Sequence, residues 1–380
     1  MINPIPFNKP HSNGSEIFYI ANAINNNKLS GDGEYTKRCH SIFESKYGFA
    51  KCLLTTSCTD ALEMAAILLN IGPGDEVIVP SYTFVSTANA FAIRGAKIVF
   101  ADSSSNNPNI CTESIRELVT NKTKIIVVVH YAGVACDMDE IKKIADSNNV
   151  YIVEDAAQAV DSYYKGIPLG SIGVFGAFSF HETKNIICGE GGLLSINDVA
   201  YFERAEIVRE KGTNRSAFFR GDIDKYGWVD IGSSFLPSEL NAAYLFAQLE
   251  SIEDIQAKRK SIWRLYDESI SAWAQKLGIV TPEIPEWATN NAHMYYLVCR
   301  DMSERDFVIS ELRKLGIGAV FHYQSLHNSN FFKGKHKGPI LSNSERYSDC
   351  LLRLPLYYDM TFEQVSFISD SLNDILLRRV

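Results

Sequence analysis

Residues 124–158 read KIIVVVHYAGVACDMDEIKKIADSNNVYIVEDAAQ. The run from Lys124 to Tyr131 is apolar and of strand length, Met138 to Ala145 repeats its apolar positions three and four apart, and Tyr151 to Glu154 is apolar again. The outer pieces read as strands buried on both faces and the middle as an amphipathic helix. Strands alternating with helices imply a mostly parallel sheet with helices on both faces.

Outward from this unit the alternation continues. Further apolar runs lie at Lys51–Thr55, Glu76–Pro80, Lys97–Asp102, Gly176–Phe180 and Leu193–Ile196, with a helical pattern at Asp60–Leu69. Gly72-Pro73-Gly74-Asp75 ends a helix and opens the next strand. Beyond about residue 235 the texture changes. Ser238 to Leu277 reads as one long helix, entered through Pro237 and Ser238 and stopped by Gly278. A smaller α+β unit follows, with strand-like His293–Cys299 and Ala319–Tyr323, helices near Glu304–Leu315 and Asn343–Leu352, and a closing helix from Phe362. The first fifty residues read as an arm with a helix at Glu16–Asn26 and a glycine turn at Ser30–Gly33. The expected organisation is a large domain over residues 1–250 and a small one over 251–380.

With 380 residues, 46% hydrophobic and 22% charged, the chain can bury a large core and divide into two domains. A net charge of −8 with no basic run argues against a nucleic-acid surface. The apolar runs are too short to span a bilayer and no signal-peptide pattern opens the chain, so a cytoplasmic location is expected. The eight cysteines contain no C-x-x-C pair and read as free thiols; no zinc-ligand spacing is present and no metal site is expected.

Ligands of open parallel sheets bind at the carboxyl ends of strands, so the residues that follow each strand come first. Thr55-Thr56-Ser57-Cys58-Thr59-Asp60 leads into a helix. It can simply cap that helix, or its hydroxyls and free N–H groups can hold a phosphate. Phe84, with Tyr82 second, can pack in the core or lie against a planar heteroaromatic ring. Glu154 and Asp155 point to opposite faces, so one can enter a pocket and keep a pyridine nitrogen protonated. Ser179 adds a hydroxyl, and Lys184, in FSFHETKNIICGEGG, is either a solvated surface lysine or an amine whose pKa a partly apolar pocket lowers until it is nucleophilic. Phosphate donors, a ring, a carboxylate and an amine at successive strand ends suggest a pyridoxal phosphate enzyme.

The ordered segments TTSCTDALEMA, VIVPSYTFVSTANA, VEDAAQA and FSFHETKN with GEGG, together with HYAGVACDMDEI and HMYYLV, resemble the DegT/StrS family of sugar aminotransferases over nearly the whole chain. The resemblance implies the aspartate aminotransferase fold (fold type I, α/β), pyridoxal 5′-phosphate as cofactor, and a homodimer whose sites are completed by the neighbouring subunit. By position, Lys184 resembles the lysine that carries the cofactor, Asp155 the partner of the pyridine nitrogen, and Phe84 the stacking ring. Gln158 resembles the polar residue beside the ring, and Ser57, Cys58, Thr59 and Ser179 the phosphate contacts. Gly232-Ser-Ser234-Phe-Leu236 departs from the family's Gly-x-Asn-x-Arg, so the trans phosphate contact the resemblance implies at Ser234 is shorter or absent. GDGEYTKRC, REKGTNRSAFFRGDIDKYGW and DIGSSF are most similar to members that aminate C4 of dTDP-4-keto-6-deoxyglucose with L-glutamate for surface polysaccharides such as the O-antigen. The galacto product is expected; the gluco epimer and amination at C3 stay open. Gly31, Asp32, Gly33, Tyr35, His130, His181, Lys211, Arg215 and His322 are candidate substrate contacts, with Lys211 and Arg215 placed to neutralise a diphosphate. The rivals are a sugar dehydratase, which carries histidine at the lysine position, a nucleotide-sugar reductase, which needs a G-x-G-x-x-G absent after the first strand, and a non-catalytic relative of the fold.

Overall fold

In the computed structural model of the chain, which describes residues 4–379, all seven apolar runs pair into one sheet. The strands are β1 (Lys51–Thr55), β2 (Glu76–Pro80), β3 (Lys97–Ala101), β4 (Thr123–Val129), β5 (Tyr151–Asp155), a small separate hairpin of β6 (Tyr163–Tyr164) and β7 (Ile167–Pro168), then β8 (Phe175–Ser179) and β9 (Gly192–Ile196). The sheet order is β1-β9-β8-β5-β4-β2-β3. Neighbours from β3 to β8 are parallel, while β9 runs antiparallel to both β8 and β1. No helix separates β8 from β9, so the chain returns beside β8 in the opposite sense rather than crossing over.

Alternation along the strands explains why these runs are apolar throughout. Ile126 and Val128 of β4 enter one core, with Met138, Ile141 and Ala145 of the Met138–Asn148 helix. Ile125 and Val127 enter the other, with Leu62, Ala65 and Ala66 of the Cys58–Leu68 helix. Both faces are covered, and the carboxyl ends of the strands are left as the open edge.

The N-terminal arm holds two helices, Ser15–Asn25 and Glu34–Tyr47, of which the second was not legible in the sequence. Its start is tied down by the buried Glu239, whose carboxylate accepts from the N–H groups of Gly33 at 3.0 Å, Tyr35 at 2.8 Å and Thr36 at 3.1 Å, and from the Thr36 hydroxyl. A Cβ on Gly33 would stand 2.5 Å from that carboxylate, so this glycine admits Glu239 and not a substrate.

The expected single helix from Ser238 is two, Glu239–Glu250 and Ile252–Ala274, broken at Ser251. Ser251 accepts a hydrogen bond from Asn13 of the arm at 2.6 Å, and serine favours such breaks because its hydroxyl competes for backbone bonds. A second sheet follows: β10 (Tyr296–Val298), β11 (Val320–Phe321) and β12 (Leu351–Arg353), with β12 in the centre. Here the structure corrects the helix expected to reach Leu352. It stops at Cys350, because Leu351 and Leu352 pair with β10 and Leu352 also with β11, and sheet pairing on both sides overrides helical propensity. A third core gathers Tyr266, Tyr295, Leu352 and Ile368, and Ile5 joins it through backbone bonds with Gly316 and Gly318.

Candidate active site

The carboxyl ends of β1, β2, β5 and β8 open into a cavity of about 440 Å³. Ser57, Cys58, Thr59, Phe84, Asp155, Gln158, Ser179, His181, Lys184 and His322 all line it. Residues separated by more than two hundred positions meet because each follows a strand or belongs to the facing small sheet.

At one end of the cavity the Cys58–Leu68 helix begins. Ser57 caps it, accepting from the N–H of Asp60 at 3.1 Å. The cap does not use up the helix start: among the described residues the N–H groups of Cys58 and Thr59 have no backbone acceptor. Two free donors at the positive end of a helix, beside the hydroxyls of Ser57, Thr59 and Ser179, form an anion cradle. Gly192 lets β9 pass directly beneath it, since a Cβ there would lie 2.3 Å from the Ser57 carbonyl carbon.

Strand alternation separates the two acids of β5. Asp155 faces the cavity, held by the Thr87 hydroxyl at 2.7 Å and the N–H of Ala157 at 3.2 Å. Burial raises its pKa, although those two hydrogen bonds and the positive charge of Lys184 pull the other way. A carboxylate so placed favours a cation brought against it. Glu154 faces the core behind, where it accepts from the N–H groups of Gly170 at 2.7 Å, Ile172 at 2.7 Å and Gly173 at 2.6 Å and lies 3.0 Å from His130 Nε2. The N–H of Cys136 donates to His130 Nδ1 at 3.2 Å, which leaves Nε2 as the protonated nitrogen and makes the ring a donor to Glu154. Glu154→Gln is expected to lose about 1–3 kcal/mol in denaturant unfolding, because an amide nitrogen among these N–H donors leaves buried groups unsatisfied. Because Glu154 does not line the cavity, ligand spectra of the folded fraction should stay unchanged.

Lys184 stands among the glycines and the aromatic strand end, with its Nζ free of hydrogen-bond partners among the described residues. Burial holds its pKa below the ordinary lysine value and Arg353 adds to this, whereas Cys58 and Asp155 favour the charge. The amine is therefore poised toward its neutral, nucleophilic form. Burial keeps the Cys58 thiol protonated. Gln158 bridges the floor to the far wall, accepting from the N–H of Ala132 at 2.6 Å and donating to the Tyr323 hydroxyl at 3.0 Å. Phe84 stands at the mouth, 55% exposed, while Tyr82 is buried and donates to the His322 carbonyl at 2.5 Å, so Phe84 is the free ring.

Among the residues that sequence reasoning missed are Thr87, which stands behind Asp155, and Glu190, His293, Tyr323 and Arg353, which line the cavity. A signal existed for Arg353, the lone charge within LLRLPL. Tyr323 has a left-handed backbone (φ 55°), strain of the kind that collects at functional sites.

Several candidates lie elsewhere. His130 is fully buried on Glu154 and does not reach the cavity. Tyr35 is also buried, its hydroxyl donating to Asn22 at 2.8 Å, so both are packing residues. Gly31, Asp32 and Arg215 line a second cleft of about 480 Å³, in which Arg209 clasps Asp32 at 2.6 and 2.8 Å. Lys211 and Ser234 are exposed and line neither cavity; Ser234 forms a backbone bridge with Glu210. His181 lines the first cavity, its Nδ1 bonded to the Thr183 hydroxyl at 2.9 Å.

A mostly parallel sheet with an anion cradle, a carboxylate and a lysine amine converging at its carboxyl edge defines an aminotransferase of fold type I. The chain belongs to the DegT/DnrJ/EryC1/StrS aminotransferase family, whose model matches residues 11–373. It is 33% identical over 353 residues to the uncharacterized protein MJ1066 of Methanocaldococcus jannaschii, covering 90% of each chain. Among solved structures it is similar to Spr1654 of Streptococcus pneumoniae, described as a sugar aminotransferase, in its PMP form (TM-score 0.91, 25% identity, 99% and 100% of the two chains). It is also similar to an aminotransferase from Psychrobacter cryohalolentis (TM-score 0.92, 27% identity, 98% and 99%).

Proposed function

We propose that the protein is a dTDP-4-amino-4,6-dideoxygalactose transaminase, moving an amino group from L-glutamate to the C4 keto group of dTDP-4-keto-6-deoxyglucose for surface polysaccharide synthesis. The observation that carries this reading is one cavity in which Lys184, Asp155 and the free N–H groups of Cys58 and Thr59 converge. Pyridoxal 5′-phosphate is the cofactor, and the residues fit it. The cradle at the Cys58–Leu68 helix and Ser179 would take its phosphate, the buried Asp155 would take a protonated ring nitrogen, and Phe84 and Gln158 would flank the ring. When bound, it supplies an electron-withdrawing ring that accepts the electron pair released at the donor's Cα.

The chain's own part is proton transfer and orientation. Lys184 Nζ would hold the cofactor, and as a free amine it takes the proton from the donor's Cα. On the return half it delivers a proton to C4 of the sugar. Thr87 and Ala157 fix the rotamer of Asp155. His181 and His322 are the substrate contacts that share the cavity. Gly31 and Arg215 in the second cleft, with the exposed Lys211 and Ser234, are assigned to the neighbouring subunit's site.

That assignment requires a homodimer. Support comes from large apolar side chains left in water, Phe18 at 65% and Trp228 at 83% exposed, and from the open mouth at Phe84. Residues 1–250 form the cofactor-binding domain in this reading and 251–380 the smaller one, with the division supported by the break at Ser251. A cytoplasmic location is in keeping with the described residues holding no helix long and apolar enough to cross a membrane.

The test is to incubate the loaded enzyme with dTDP-4-keto-6-deoxyglucose and L-glutamate, and to assign the C4 configuration of the product by NMR. An axial amino group at C4, the galacto arrangement, and one equivalent of 2-oxoglutarate are expected. Formation of the gluco epimer, or no amino sugar at all, overturns the assignment.

A further inference from the structure

Two hydroxyls in the wall of the active-site cavity, those of Thr83 and Ser86, have no part in the roles above. Both belong to Thr83-Phe84-Val85-Ser86-Thr87, the turn that leads from β2 into the Ser86–Ala92 helix and carries the free ring of Phe84. The hydroxyls of this turn reach both ends of the cavity. Thr83 Oγ1 lies 2.9 Å from Thr87 Oγ1, which donates to Asp155 at 2.7 Å. Ser86 Oγ lies 2.8 Å from Thr59 Oγ1, in the anion cradle at the start of the Cys58–Leu68 helix.

A hydroxyl has one proton to give and lone pairs with which to receive another. The proton of Thr87 goes to Asp155, so between the two threonines Thr83 donates and Thr87 accepts. The same reasoning holds at the other end whenever the cradle holds an anion. A fully ionised anion only accepts, Thr59 donates to it, and Ser86 is left as the donor to Thr59. Two short chains thus run in the same sense, Thr83 to Thr87 to Asp155 and Ser86 to Thr59 to the cradle, and each ends on a negative charge. Hydrogen bonds in such a chain polarise one another, and a charged terminus strengthens the bond behind it. Thr83 and Thr87 are buried, so water does not compete for their hydroxyls.

We infer that Thr83 and Ser86 are positioning residues that set the hydrogen-bond polarity at the two charged ends of the cofactor site, a role that rests on the pyridoxal phosphate reading above. Phe84 stands between them in the chain. The residue that would flank the ring is therefore braced on one side against the group for the ring nitrogen and on the other against the group for the phosphate. Neither hydroxyl meets a reacting atom; each acts through the threonine in front of it. Thr83 acts on the charge of Asp155. The other groups facing that carboxylate are the N–H of Ala157, Lys184 and His130, which favour its ionised form, and Cys58 and Tyr323, which burial holds neutral. All of these are left in place by a substitution at Thr83.

The experiment compares wild type with Thr83→Val, Thr83→Ser, Ser86→Ala and Ser86→Thr, all prepared free of cofactor. The first measurement is the concentration of pyridoxal 5′-phosphate, and of pyridoxal, which lacks the phosphate, that half-develops the visible band. The second is the unfolding equilibrium in denaturant at pH 8 and pH 4 with neither ligand present. S86A is expected to need about 3- to 10-fold more pyridoxal phosphate, with its demand for pyridoxal changed by less than about 2-fold. T83V should weaken both ligands alike, by about 3- to 10-fold, because the ring nitrogen is common to them. Its unfolding equilibrium should shift about 3- to 10-fold toward the unfolded chain at pH 8 and by less than about 2-fold at pH 4. The sign follows from Asp155: loss of the donor behind Thr87 raises the folded pKa of the carboxyl, which costs stability while the acid is ionised and little once it is protonated. T83S and S86T keep the hydroxyls and should stay near wild type. Thr83→Ala takes the place of T83V if the valine does not fold. Equal shifts at the two pH values in T83V, equal weakening of the two ligands in S86A, or wild-type behaviour in both hydroxyl-free variants overturns the inference. Absence of the visible band from wild type with pyridoxal phosphate would instead remove the cofactor reading beneath it.

Discussion

Lys184→Ala is expected to lower turnover by about 10²- to 10⁴-fold, the range associated with loss of a positioned general acid–base group. The same substitution should leave a cofactor that borohydride no longer fixes to the peptide bearing position 184. The expectation follows from the place of the amine. It is half-buried, has no hydrogen-bond partner among the described residues, and shares its cavity with the carboxylate that would face the far side of a cofactor ring. No other lysine lines that cavity, so no neighbour can take over. The pH dependence carries a sign. Burial and Arg353 move the Lys184 pKa below 10.5, so the fraction of neutral amine, and with it the rate at which the cofactor-free protein takes up the cofactor aldehyde, rises as pH climbs toward that lowered value and levels above it. Exogenous methylamine should restore part of the proton transfer in the alanine variant. Undiminished turnover, or trapping at another residue, would remove Lys184 from the reaction.

Most of the sheet was legible because parallel strands buried on both faces leave uninterrupted apolar runs: Ile125 to Val129 need no alternation when both sides are core. The cavity floor was legible for a related reason, since Ser57, Phe84, Asp155 and Lys184 each follow one of those runs directly. What the sequence hid was the other wall. Tyr323 ends a run that reads as a strand, but its left-handed backbone (φ 55°) is not marked by any alternation, and Arg353 ends the three-residue β12, too short for periodicity to mark. Thr87 was hidden differently: its place behind Asp155 depends on a helix, Ser86–Ala92, of seven residues. His130 misled because a histidine at a strand end can point either way, and here the cluster of N–H groups around Glu154 draws it inward. The glycine turn at Ser30–Gly33 misled for a comparable reason, since the partner that requires Gly33 is a carboxylate about two hundred residues away.

Asp155→Asn separates the charge of this residue from its shape. The amide keeps the volume and can still meet Thr87 and Ala157, but it cannot hold a proton on a pyridine nitrogen. Removing one member of a buried charge pair costs about 3–5 kcal/mol, equivalent to about 10²- to 10⁴-fold in turnover. Cofactor affinity should fall with it. The cofactor-free protein should behave in the opposite way. Burial raises the pKa of Asp155 above its ordinary 3.8, so the fold prefers the protonated acid. Its contribution to stability is present below the ordinary carboxyl pKa and is lost as pH rises through the higher folded value. At pH 8 the wild-type fold therefore carries a buried carboxylate that it would rather not ionise, and asparagine relieves it of that charge. Cofactor-free Asp155→Asn should thus melt at or above the wild-type temperature at pH 8, with the difference vanishing toward pH 4, while addition of pyridoxal phosphate should stabilise wild type more than the variant. A variant that melts well below wild type without cofactor, yet turns over normally with it, would mean that Asp155 holds the fold together and takes no part in tuning the cofactor.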